Sequence, residues 1–145
     1  MRHVTDQPWV LLDTDVWSWL YGRKKRTHPE ATQWRAALIG RSIVISTQTR
    51  AEVLTWLAQG ELGPERAGAI EGQLDNTRTV PVTEDVVRAY AELTAECQRR
   101  ALGLHDKKHT GDRWVAATAI AIDAPLLTLD GIFHNAPGLQ VLASS

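Results

Sequence analysis

Hydrophobic residues fall along this chain in short unbroken runs, separated by longer stretches with a helical period. Val10–Leu11–Leu12 runs into Asp13, and Ile43–Val44–Ile45 runs into Ser46. Val80–Pro81–Val82 is a weaker third run, Leu126–Leu127–Thr128–Leu129 is a fourth that stops at Asp130–Gly131, and residues 139–142 predict a fifth. Runs of this length without polar alternation suit strands buried on both faces. Between them, residues 29–39 read as a helix with Pro29 near its start and Gly40 just past its end. Residues 47–58 predict a second helix, and after a break at Gly63–Pro64 a weaker one extends to Leu74. The clearest helix covers 83–102, where Val86, Tyr90, Leu93, Cys97 and Ala101 recur at spacings of 4, 3, 4 and 4. Arg88/Glu92 and Glu96/Arg100 give it i,i+4 charge pairs on the wet side. From 114 to 122 only Thr118 is polar, which predicts a helix enclosed by other elements. Strands alternating with helices predict an α/β domain, a three-layer α/β/α sandwich with a mainly parallel central sheet.

Length and composition narrow the class. A chain of 145 residues matches one domain, expected here to cover 1–145. Its 43% apolar and 23% charged residues exclude a disordered polymer. Sixteen Lys and Arg against seventeen Asp and Glu leave a net charge of −1. That excludes a strongly basic nucleic-acid coat protein while leaving room for a local basic patch. The single Cys97 has no partner for an internal disulfide, and no Cys/His spacing resembles a zinc site. No basic-then-apolar leader is present and no apolar run approaches the roughly 18 residues of a membrane span, so a soluble cytoplasmic protein without membrane contact is expected.

Four carboxylates change the picture. Asp13 and Asp130 stand where the first and fourth strands end, and in a parallel sheet all strand C-termini share the edge where ligands bind. Asp112 opens the helix that leads to the fourth strand through Asp123–Ala124–Pro125. Eleven helical residues rise about 16 Å, roughly the span of a strand of four or five residues, which brings Asp112 level with Asp130. Glu52 lies about one and a half turns into the helix after the second strand. Its side chain tilts back toward the helix start and is long enough to reach the same edge. Carboxylates this close repel unless some stay protonated or a cation joins them. Hard oxygen donors without His or Cys favour Mg²⁺, with Mn²⁺ as a substitute, over zinc. Such ions activate water and act on phosphate esters. Each acid also has a local job available. Asp13 suits a helix N-cap, Glu52 follows Thr49 at capping-box spacing, Asp112 suits a helix dipole, and Asp130–Gly131 is a turn dipeptide.

The segments that carry these acids resemble, in order and nearly end to end, a PIN domain, specifically a VapC-type toxin ribonuclease of bacterial type II toxin–antitoxin systems. The resemblance runs through Leu11–Leu12–Asp13–Thr14–Asp15–Val16–Trp17, then Ile45–Ser46–Thr47–Gln48–Thr49–Arg50–Ala51–Glu52. It continues in Gly111–Asp112–Arg113–Trp114–Val115–Ala116–Ala117–Thr118–Ala119 and closes in Pro125–Leu126–Leu127–Thr128–Leu129–Asp130–Gly131–Ile132–Phe133. It implies acids of the active site at Asp13, Glu52, Asp112 and Asp130, with Asp13 and Asp112 holding Mg²⁺ directly. It implies a metal-dependent endoribonuclease that cleaves RNA, a homodimer, and a cognate antitoxin protein that occupies the cleft. Asp15 departs from the pattern, since the family often has Asn or Ser there; a cap for the next helix is its expected role.

Two basic runs offer contacts to an RNA backbone: Arg23–Lys24–Lys25–Arg26 with His28 beyond it, and Lys107–Lys108–His109 just before Asp112. Of the six Trp residues, Trp56 and Trp114 are expected in the core, while Trp17 and Trp19 point apart on a helix. Cys97 sits on an apolar stripe and is expected to pack rather than react. Two other readings remain. Asp13–Thr14–Asp15–Val16 after an apolar strand also matches the nucleophile loop of haloacid-dehalogenase-type phosphatases, with Asp13 as nucleophile. A catalytically inactive PIN scaffold that only binds is the other.

Overall fold

The computed structural model describes residues 8–22 and 28–142. Among them, four strands form one wholly parallel sheet in the order β3-β2-β1-β4: β1 Trp9–Leu12, β2 Ser42–Ser46, β3 Arg78–Val80 and β4 Leu126–Leu127. Side chains alternate across a strand, and both faces of this sheet are covered. Val10, Leu12, Ile45 and Leu127 pack on one side with Val16, Trp17, Trp34, Val53, Ile70 and Leu74. Leu11, Val44 and Leu126 pack on the other with Leu93, Cys97, Val115, Ala116, Ala119 and Phe133. The first layer is built from α1 Thr14–Trp17, the π-helical turn Ser18–Gly22, α2 Ala31–Leu38, α3 Thr47–Ala58 and α4 Pro64–Asp75. The second is built from α5 Glu84–Arg99 and α6 Thr110–Ala121. The result is the expected α/β/α sandwich.

The chain winds from β1 through β2 to β3 on one side of β1, then returns to place β4 on the other. The strand order therefore reverses between β1 and β4, and the carboxyl ends of these two strands flank the crevice where open α/β sheets bind ligands.

Several boundaries differ from the hydrophobic pattern for local reasons. The third strand lies at Arg78–Val80, not at 80–82, because Pro81 has no N–H to donate to a ladder. β4 keeps only Leu126–Leu127, since its neighbour β1 ends at Leu12, the partner of Leu127, and turns into α1. The expected fifth strand is reduced to one parallel bridge, Leu126 to Val141. On α5, Arg88 pairs with Glu84 at 3.3 Å rather than with Glu92, while Glu96 meets both Arg99 and Arg100. Gly40 ends the α2 region at φ +76°, a conformation that costs Gly little. Cys97 is fully buried in the second layer. Trp17 is fully buried as well, but Trp56 and Trp114, expected in the core, are only partly covered.

Candidate active site

The end of β1 builds the centre of the site. Asp13 is the N-cap of α1, its Oδ1 accepting the Thr14 N–H at 2.8 Å. Its Oδ2 accepts the Thr128 hydroxyl, also at 2.8 Å, from the residue that follows β4. Asp13 is only 8% exposed. Burial pushes its carboxyl up to about 6 from the usual 3.8; the bonds from Thr128 and Thr14 oppose the rise, and the negative charges of Asp112 and Asp15 add to it. Asp13 is thus a desolvated carboxylate within the field of two other negative charges. Asp15 is exposed in the first turn of α1; the cap expected of Asp15 is supplied by Asp13.

Glu52 joins this centre through one hydroxyl. The Thr14 hydroxyl donates to Glu52 Oε2, and Gln48 Nε2 donates to Glu52 Oε1 at 3.3 Å. Because a carboxylate accepts, the proton order upstream is set. Thr49 donates to Thr14 across 2.9 Å, and Ser46 donates to Thr49 at 3.3 Å. This relay of hydroxyls ties the C-terminal ends of β1 and β2 together. The cap of α3 is Ser46, accepting from Thr49 N–H at 3.0 Å, and not the Thr49–Glu52 box of the sequence pattern. Gly111, in the first turn of α6, is what lets Gln48 in: a Cβ there would stand 2.8 Å from Gln48 Nε2. A hollow of about 240 Å³ lined by Thr47, Gln48, Ala51, Val82, Trp114 and Thr118 adjoins Gln48.

Asp112 lies in the first turn of α6, and its Oδ2 accepts from His109 Nδ1 at 2.7 Å. Asp130 sits beside the centre, joined to it through Thr128. Its N–H donates to Thr128 Oγ1 at 3.0 Å, while its Oδ1 accepts the Ile132 N–H at 3.0 Å and caps the 3₁₀ turn Gly131–Phe133. The four expected acids therefore do not form one tight knot. The charges of Asp112 and Asp15 act on Asp13, Glu52 is linked to it through Thr14, and one oxygen of Asp130 caps a turn. Among the described residues, no group of three or more His, Cys, Asp or Glu side chains is gathered closely enough to enclose a metal ion.

That geometry suits one kind of ion. Each oxygen of Asp13 accepts a single hydrogen bond, leaving about two of the roughly four lone-pair sites of its carboxylate open. Mg²⁺ keeps several waters and takes one or two carboxylates rather than a full protein cage, so an Asp13–Asp112 pair is a sufficient donor set. A structural zinc site needs four closed ligands and finds none among the described residues. Sequence reasoning overlooked Thr14 and Thr128, and it took His109 as part of a charge run. The i,i+3 spacing from His109 to Asp112 across a helix start was the available signal for the last. Lys107 and Lys108 are exposed beside Asp112. The Arg23–Arg26 run lies outside the described residues, and His28 beyond it stacks on Trp34 with ring centroids 4.6 Å apart.

The PIN domain family profile matches residues 10–139, and the chain belongs to that family. This excludes the haloacid-dehalogenase alternative and agrees with the fold. No curated protein sequence matches it significantly. Among solved structures, it is similar to VapBC2 from Rickettsia felis bound to a DNA fragment from its promoter (TM-score 0.74, 19% identity, 92% of this chain and 97% of that one). It is also similar to FitAcB from Neisseria gonorrhoeae (TM-score 0.73, 23% identity, 93% and 97%). A third is VapBC-1 from nontypeable Haemophilus influenzae (TM-score 0.71, 21% identity, 94% and 98%). Among the described residues, no helix is long and apolar enough to cross a membrane.

Proposed function

We propose that this PIN domain is a VapC-type toxin, an Mg²⁺-dependent endoribonuclease restrained by a cognate antitoxin. The observation that carries the reading is the buried Asp13 carboxylate at the strand-order reversal, with the negative charges of Asp112 and Asp15 acting on it. A desolvated carboxylate beside other negative charge is costly to keep ionised, and a divalent cation removes the cost. Asp13 and Asp112 would hold the ion, with Mn²⁺ able to replace Mg²⁺. When bound, the ion supplies an activated water and neutralises charge on the scissile phosphate. Thr14 and Thr128 keep the Asp13 carboxylate from rotating. Glu52, held by Thr14 and Gln48, orients water at the edge of the site. Asp130 shapes the far wall through its turn. Lys107 and Lys108 neutralise the RNA backbone as it approaches Asp112. An antitoxin partner is supported by the similar structures being VapBC and FitAB complexes; a homodimer in the cytoplasm completes the reading.

Cleavage of total RNA tests it. Wild-type protein freed of antitoxin is expected to cut RNA with Mg²⁺ and not with chelator. Asp112→Asn should fold normally and lose at least roughly 100-fold of the rate. A wild-type protein that binds Mg²⁺ but cuts no RNA is instead a PIN binding module.

A further inference from the structure

Arg113, next to Asp112 on α6, is 5% exposed, and among the described residues its guanidinium meets no carboxylate. A buried cation without a counter-ion is expensive unless its N–H groups are satisfied. Among the described residues Nε has no hydrogen-bond partner, but the two Nη groups are satisfied almost entirely by one stretch of chain. Nη1 donates to the carbonyls of Leu104 at 2.7 Å and Asp106 at 2.8 Å, and Nη2 donates to Thr110 Oγ1 at 3.3 Å. The remaining support comes from Tyr90, whose hydroxyl accepts from Nη2 at 3.2 Å and whose ring faces the guanidinium carbon at 5.4 Å.

The stretch so gripped, residues 104–110, is the one that carries His109. The carbonyl of Asp106 accepts both Arg113 Nη1 and the His109 N–H, the latter at 2.9 Å. The Asp106 carboxylate accepts the Lys108 N–H at 3.1 Å, and Thr110 Oγ1 donates back to the Lys107 carbonyl at 2.7 Å. The backbone around His109 is therefore pinned on both sides. Its imidazole reaches Asp112 Oδ2 at 2.7 Å, and since a carboxylate only accepts, the ring hydrogen is on Nδ1.

We propose that His109 and Arg113 are positioning residues for Asp112: the buried guanidinium fixes the 104–110 segment, and that segment holds His109 against one carboxylate oxygen so that the other is aimed at the divalent ion. The inference rests on the reading of Asp112 as a metal ligand. Hydrogen bonds from outside a coordination sphere orient its ligands, and their loss typically weakens metal binding about 10–100-fold. Arg is suited to this task because its planar fork grips two carbonyls at once, which a Lys ammonium on a flexible stem does not reproduce.

The test is Mn²⁺ binding to the full chain, followed by electron paramagnetic resonance, which reads the site without reference to cleavage. His109→Ala is expected to weaken Mn²⁺ binding about 10–100-fold with an unchanged metal-free melting temperature. His109→Asn, whose amide nitrogen stands near the Nδ1 position, should recover most of that loss. Arg113→Lys should weaken binding in the same way, and the loss should vanish in a His109→Ala background, because Arg113 acts through His109. If Arg113→Lys does not fold, Tyr90→Phe removes one of its acceptors and should show a smaller loss with the same non-additivity. Wild-type affinity in His109→Ala, or an Arg113 effect that multiplies with the His109 effect, overturns the proposal while leaving the metal reading intact. No Mn²⁺ binding by the wild type overturns both.

Discussion

Replacing Asp13 by Asn should make the metal-free protein more stable. The native carboxyl is raised to about 6 while the ordinary value is 3.8, so holding it ionised in the folded state costs about 3 kcal/mol at roughly 1.36 kcal/mol per unit. The replacement is not free. The new amide oxygen would accept the Thr14 N–H as the carboxylate does, but the amide nitrogen would face the Thr128 hydroxyl, which already accepts the Asp130 N–H. Reversing that bond forfeits about 1 kcal/mol. The net expectation for Asp13→Asn is about 2 kcal/mol of stabilisation, or roughly 5–8 °C for a domain of this size. The sign with pH follows from the raised value. The native state takes up its proton before the unfolded chain does, so the penalty is fully present above about pH 7 and fades as pH falls through 6 toward 3.8. Thermal and urea unfolding in chelator, at about pH 8 and about pH 4, should therefore show the variant ahead at the higher pH and level with or below wild type at the lower. An unchanged or lower melting temperature in the alkaline arm, or an advantage that does not depend on pH, refutes the reasoning.

Three further outcomes are expected. Thr14→Val, nearly the same shape, removes the donor to Glu52 and the link to Thr49; cleavage should fall at least tenfold while urea unfolding shows a loss of about 1 kcal/mol. Asp130→Asn keeps the cap on Ile132, because Asn caps as well as Asp, and should melt as wild type with far less loss of cleavage than Asp112→Asn; Asp130→Ala should cost about 1 kcal/mol in stability. Gly111→Ala forces the flexible end of Gln48 aside and so removes its bond to Glu52, which should lower the cleavage rate severalfold with little change in melting temperature.

The fold was legible because its strands are buried on both faces, so that unbroken apolar runs marked β1 and β2 to within a residue. α3 ends where its pattern ends. β3 was misplaced by two residues because Val80 and Val82 look alike as hydrophobic positions, whereas Pro81 between them decides which one can pair. Thr128 read as part of a strand, and nothing local reveals that it serves Asp13 across 115 positions of sequence. The site was legible at the level of which strand ends carry acids. It was not legible in how each carboxylate is spent: Asp130 belongs to an Asp–Gly turn in either account, and only coordinates show its Oδ1 committed to Ile132. Arg113 was passed over because a charged residue beside Asp112 on a helix normally faces water; its burial follows from the packing of α6 under Tyr90 and the 104–110 segment.

The central claim is that the carboxylates around Asp13 form a place for a divalent cation. Its most direct test is a Mg²⁺ titration of the melting temperature for wild type and Asp13→Asn in mildly alkaline buffer. Binding to the native state alone raises stability with the logarithm of concentration once the site fills. The wild type should start below the variant and climb with Mg²⁺, while Asp13→Asn stays flat. A wild type indifferent to Mg²⁺, or two proteins that climb in parallel, would contradict it.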